Sequence, residues 1–184
     1  MVHDRAVRRS RWPAIAPPPC GGVRVHGRLL LSAHPHMTFD LVRIVAFECG
    51  LSVHLAVTAT GGPAELARYQ TRRSTDPRDH SARWSYLAVQ AGTDCLAVAD
   101  AYLARPDLQA CADGICTYRT DPQYWLNTGP PSESVTIAAQ WPQIGLAPIT
   151  TTESLAPLDQ AWTCAYGVRL SRGIGSRQQP TGEG

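Results

Sequence analysis

A chain of 184 residues, 43% hydrophobic and 17% charged, is long enough to bury about two-thirds of its unfolded surface around one core. Its 15 glycines and 15 prolines predict many turns joining short elements, which favours β over α structure. The formal charge is only +2, every basic residue is arginine, and six arginines against one aspartate fall in residues 1–30. The rest is therefore net acidic, and without lysine, a Walker A run or GxGxxG the sequence argues against nucleotide hydrolysis.

Residues 1–22 read as a disordered arm rich in Arg and Pro, with too little apolar surface to offset the entropy of ordering. Arg8, Arg9 and Arg11 precede an apolar run that Pro13 and Pro17 to Pro19 interrupt, so no secretory signal is expected. No stretch approaches the ~20 apolar residues of a membrane-spanning helix. The expectation is a cytoplasmic protein with reduced thiols.

A single domain is expected over residues 23–170. Val23 to Ser32 reads as one strand with Val23, Val25, Leu29 and Leu31 inward. In Met37 to Phe47 the inward set passes from Phe39 and Leu41 to Val42, Ile44 and Ala46, and a parity change of that kind is what a β-bulge produces. Leu51 to Ala59 alternates most cleanly of all. Ala64 to Arg72 reads as a short helix or a kinked continuation of that strand, and Arg72 to Arg83 as an exposed loop. Ser85 to Ala91 turns through Gly92 into Cys95 to Asp100 as a hairpin, and Leu103 to Thr120 reads as a long loop. Tyr124 to Leu126 is expected to pair back on Val135 to Trp141 across the turn Gly129-Pro130-Pro131-Ser132, with Trp141 in the core. Ile149 to Glu153 forms an edge strand. Ser154 would then cap a short C-terminal helix bearing Leu155, Leu158, Trp162 and Ala165 on its buried stripe; residues 171–184 form a disordered tail. The fold class is thus all-β, an antiparallel β-sandwich of about seven to eight strands with a short C-terminal helix.

The runs LVRIVAFECGLSVHLAVTATG, WSYLAVQAGTDCLAVAD and YWLNTGPPSESVTIAAQWPQIGL resemble a family of small β-sandwich proteins of high-GC bacteria to which no function is assigned. The resemblance spans Val23 to Arg169 and rests on the aromatic pair Tyr124 and Trp125, the Pro130-Pro131 turn and the Trp141-Pro142 strand end. It implies the sandwich and carries over no catalytic residue. The Cys111 to Cys116 loop departs from that pattern, where glycine-rich filler is expected.

Cys111 and Cys116 have a spacing seen at zinc sites, but no second pair at a zinc-like distance accompanies them. His34 and His36 would present both imidazoles on one side of an extended chain, so these four residues make up the metal-dependent alternative. The plain reading is a polar turn and a solvent-facing loop. Cys49, Cys95 and Cys164 lie in apolar surroundings and read as small core residues. GxSxG is absent, and His54, on the polar face of the third strand, reads as a surface histidine rather than as a hydrolase partner of Asp100. Arg72, Arg73, Arg78 and Arg83, near Tyr69 and Trp84, are the nucleic-acid alternative, but Asp76 and Asp79 interrupt them and favour a solvated loop. The expectation is therefore a non-catalytic binding or protein-interaction module. Tyr124, Trp125, Pro130 and Pro131 form its surface, since an aromatic beside a rigid turn orders at little entropic cost; no cofactor and no membrane association are expected.

Overall fold

The computed structural model describes residues 15–71, 87–104, 106–110, 114–128 and 133–157, with Thr71 and Pro106–Ala110 described by backbone alone. The organising pair is β3 (Met37–Phe47) and β4 (Gly50–Thr60), antiparallel strands joined by the two-residue turn Glu48-Cys49. Leu51, Val53, Leu55, Val57 and Ala59 are wholly buried, as strict alternation requires when one face of a strand meets the core. The register slips between Leu41 and Arg43. The slip leaves Val42 as the extra residue of a bulge, so Phe39 and Leu41 before it and Ile44 and Ala46 after it all reach the core.

On the far side of β3 lie β1 (Val23–His26) and β2 (Leu29–His34), two halves of one interrupted path. Val23 and Val25 are buried as expected, but Leu29 is 38% exposed and Leu31 only half-buried. Irregularities at Val25 and Leu31 break the strand's parity, which an unbroken alternation from Val23 to Ser32 does not anticipate. After β4, α1 (Gly62–Thr71) begins with Pro63 in its first turn, and Glu65 and Arg68 sit at the ends that suit the helix dipole. Its small residues Ala64 and Ala67 are fully buried against β4 and against β9 (Cys116–Thr120).

The remaining strands are β5 (Ala88–Gly92), β6 (Ala97–Ala99), β7 (Ala101–Leu103), β8 (Pro106–Ala110), β10 (Gln123–Leu126), β11 (Ser134–Trp141) and β12 (Leu146–Ser154). One sheet runs from β1 and β2 through β3 and β4 to β9 and β10, and then to β7 and β8; the other runs β12-β11-β5-β6. All pairings are antiparallel. Paths broken by a bend, such as β9 to β10 at Asp121-Pro122, are continuous in space, where Leu55 N–H donates to the Pro122 carbonyl at 3.0 Å. Counted as paths within each sheet, the described residues hold nine strands, five in the larger sheet and four in the smaller. The chain steps from one sheet to the other at Asp100, between β6 and β7, as strands do at the corner of a sandwich. Near the end of β12, Ala156 N–H donates to the Val25 carbonyl at 3.0 Å and Glu153 lies 3.5 Å from His26, tying that edge to β1.

Three expectations are corrected here. Tyr124 to Leu126 does not pair with β11, because β10 lies between β4 and β7 in the other sheet. Gly129 to Ser132 falls between strands of different sheets and lies outside the described residues. Leu103 to Thr120 is not a loop but contains the β8–β9 hairpin, whose inward positions include the polar Thr120, fully buried beside Tyr118. A threonine at a core position erases the apolar alternation by which strands are read. Lastly, Ser154 ends β12 and residues 155–157 take no helical turn; Leu158, Trp162 and Ala165 lie outside the described residues. Among the described residues the α-helix that accompanies the two sheets is α1.

Candidate functional site

Cross-strand register assembles a cluster on the outer face of the larger sheet. One row runs from Arg24 through Val45 and Ser52 to Trp125, and the next from Arg43 through His54 to Gln123. Odd residues of β4 fill the core, so Ser52 and His54 must face outward, yet Ser52 is only 1% exposed. Its neighbours cover it. Ser52 Oγ lies 3.1 Å from His54 Nε2 and 3.0 Å from the Tyr102 hydroxyl, and that hydroxyl donates to Gln123 Oε1 at 2.8 Å.

The order of protons in this chain follows from counting donors. Tyr102 spends its single proton on Gln123, so its oxygen accepts from Ser52; Ser52 has then no proton left for His54 and accepts from Nε2–H instead. A nucleophilic serine needs the opposite polarity, with the imidazole accepting the hydroxyl proton. Two further observations agree. Ser52 Oγ is covered, and burial, then the charge of Arg43, lowers the His54 pKa from 6.5 to about 4, too weak a base for proton abstraction near neutrality. The cluster is a neutral, internally satisfied network with His54 Nδ1 left as an acceptor.

The lowered pKa has a consequence for stability. The unfolded chain takes up the imidazole proton near pH 6.5, whereas the fold resists it until about pH 4. Between those values unfolding binds a proton, so stability falls as the solution is acidified and the loss is complete below about pH 4. Denaturant titrations of the parent and His54→Gln across this window are expected to show the smaller acid loss in the variant. Parallel curves would remove His54 as a source of acid sensitivity.

Trp125 borders the network. Its ring meets Phe47 edge-on at 5.5 Å and 80° and lies over Gly50, where a Cβ atom would fall 2.9 Å from Trp125 Cζ2. It remains half-buried, whereas Tyr124, on the opposite face of β10, is 3% exposed and belongs to the core. A cleft of about 410 Å³ opens beside Trp125, lined also by Asp94 and Cys95 of the β5–β6 turn and by Asn127 and Thr128. Pro130 and Pro131 lie outside the described residues. Of the four residues expected to form a binding surface, Tyr124 is buried in the core and Trp125 is half-exposed.

His34 and His36 flank Pro35 in the β2–β3 turn, and His36 takes φ 71°, the positive-φ position that follows proline in a type II turn. The segment is curled rather than extended, which overturns the geometry expected to align the two imidazoles; His36 instead approaches Thr60 Oγ1 at 3.4 Å. Cys116 begins β9 half-buried, and Cys111 lies outside the described residues. No three His, Cys, Asp or Glu side chains among the described residues come together as a metal site. Cys49 and Cys95 are exposed rather than core, because both occupy turns; Cys164 lies outside the described residues, as do Arg72, Arg73, Arg78 and Arg83. Sequence reasoning missed Ser52, Tyr102, Gln123, Arg24 and Arg43. The shared parity of Ser52 with His54, and of Gln123 with Trp125, is the one signal that links any of them.

Among the described residues no helix is long and apolar enough to cross a membrane. Comparison with known proteins finds no family model, no curated protein and no solved structure that matches this chain.

Proposed function

We propose that the protein is a non-catalytic binding module that receives its ligand on the outer face of the larger sheet, beside Trp125. The observation that carries this reading is the state of Trp125. It is half-exposed on a solvent-facing strand, yet fixed in place by Phe47 and the glycine beneath it. An aromatic surface that is already ordered loses little entropy on binding, and rigid Trp side chains dominate the energetics of interfaces. The neighbouring Ser52–His54–Tyr102–Gln123 chain supports binding over catalysis, since its reactive-looking hydroxyl is covered and its protons run away from the imidazole. A cytoplasmic location and membership of the high-GC β-sandwich family belong to the same proposal and contribute no residue to it.

The test is retention from native lysate on immobilised protein, with retained proteins, nucleic acids and small molecules all identified and compared with Trp125→Ala. Loss of one retained species, by about tenfold or more for a tryptophan at the centre of contact, is the expected result. Retention indifferent to Trp125 would place the binding surface elsewhere.

A further inference from the structure

We propose that the face around Trp125 binds a nucleotide unit, its phosphate between Arg24 and Arg43 and its flat base against Trp125. This rests on the binding-module reading and adds the class of ligand.

The argument starts from charge. Arg24 stands opposite Val45, and Arg43 lies two residues along the same strand on the same face. Diagonal neighbours of this kind have Cα atoms about 7–8 Å apart, within which long side chains converge on one group. Among the described residues the other arginines on this sheet's outer side have carboxylates: Arg28 holds Asp40 at 3.0 Å and Arg119 holds Asp121 at 2.8 Å. Among the described residues neither Arg24 nor Arg43 has an ion-pair partner. The neighbouring imidazole, which is neutral or cationic, offers them no counter-charge. Two arginines at neighbouring positions of one face, neither bound to a carboxylate among the described residues, present forked donors that suit phosphate.

The rest of the face fits what is attached to that phosphate. Trp125 lies two strands across and two residues along from Arg43, about 12 Å between Cα atoms at ordinary strand spacings. One nucleotide covers that span with arginine reaching from one end and the indole from the other. Between them His54 Nδ1 offers an acceptor, which suits a sugar hydroxyl. A β-sheet face with basic side chains at one side and an aromatic at the other is how single strands are held, by stacking and backbone charge. The outer face of the smaller sheet provides the contrast: Gln90, Val98, Thr136, Ala138 and Gln140 present no charge. An acidic protein segment would satisfy the arginines but leaves the flat aromatic surface without a specific partner.

The test titrates the full chain separately with inorganic phosphate, a nucleoside monophosphate, a short single-stranded oligonucleotide and a short polyglutamate peptide, following binding calorimetrically and the His54 ring by NMR. The nucleotide is expected to bind, and its phosphate should raise the His54 pKa by offsetting Arg43. Trp125→Ala and Arg43→Ala should each weaken it about tenfold or more, with Arg119→Ala unchanged. An oligonucleotide bound far more tightly than the monophosphate, with a salt slope that falls by about one in Arg43→Ala, assigns the unit to a nucleic-acid strand; equal affinities assign it to a free nucleotide. Polyglutamate binding without nucleotide binding overturns the proposal in favour of an acidic protein partner. No binding of any nucleotide, or binding indifferent to Arg43, also overturns it. In either case Trp125-dependent retention from lysate, if present, leaves the binding-module reading standing.

Discussion

Trp141→Ala is expected to cost about 3–5 kcal/mol of stability, the range for emptying a buried aromatic site, and so to lower the melting temperature by roughly 6–20 °C in a domain of this size. Trp141 is wholly buried and closes the inward row of Val135, Ile137 and Ala139 on β11. Its ring stands edge-on to Tyr118 of the opposite sheet at 6.1 Å and 81°, a favoured aromatic geometry. Its Nε1–H donates to Gln70 Oε1 of α1 at 2.6 Å. One side chain thus joins both sheets and the helix, and no neighbour can collapse into its volume without moving an entire element. Trp141→Phe keeps most of the ring but leaves the Gln70 carbonyl without its donor, so a smaller cost of about 1–3 kcal/mol is expected. Urea titrations of the three proteins decide it. An alanine variant within about 1 kcal/mol of the parent would show that the layers are held elsewhere.

That keystone was legible in sequence because period-2 alternation from Val135 ends on it. Alternation made β4 legible for the same reason, and a shift in its phase revealed the bulge at Val42. What alternation does not contain is the partner of each strand. β10 carries Tyr124, Trp125 and Leu126 close to β11 in sequence, and a proline-rich turn suggested a hairpin. The chain instead inserts β10 between β4 and β7, where Tyr124 and Leu126 are buried. The candidate site was hidden by the same gap. Ser52, His54, Tyr102 and Gln123 come from three paths whose neighbourhood exists only once strand order is known, and Arg24 meets Arg43 only through the β1–β3 register. Of this face, sequence reasoning names Trp125, as an aromatic next to a turn, and His54, read there as a surface histidine. The cysteines failed for a different reason: apolar neighbours in sequence say little about a residue at the tip of a hairpin, where Cys49 projects into solvent.

Gly50→Ala is expected to damage fold and site together, which distinguishes it from a change in the site alone. Gly50 opens β4 directly after the turn, opposite Phe47. A Cβ atom built there runs into the Leu126 carbonyl oxygen and meets Trp125 Cζ2 at 2.9 Å. Leu126 is paired with Leu51 in the β4–β10 ladder, so its carbonyl cannot retreat without loosening the end of that ladder. The indole cannot retreat without leaving Phe47. Overpacking of this kind costs about 1–3 kcal/mol, and the strand that shifts is the one carrying Gln123 and Trp125. The alanine variant should therefore lose stability by that amount and lose ligand at least as completely as Trp125→Ala, whereas Trp125→Ala, at a half-exposed position, should lose ligand at a smaller cost in stability. Equilibrium denaturation and ligand titration on the two variants separate the cases. Should Gly50→Ala keep both its stability and its ligand, the close seating of Trp125 over the start of β4 is wrong, and with it the pre-ordered aromatic surface on which the binding reading depends.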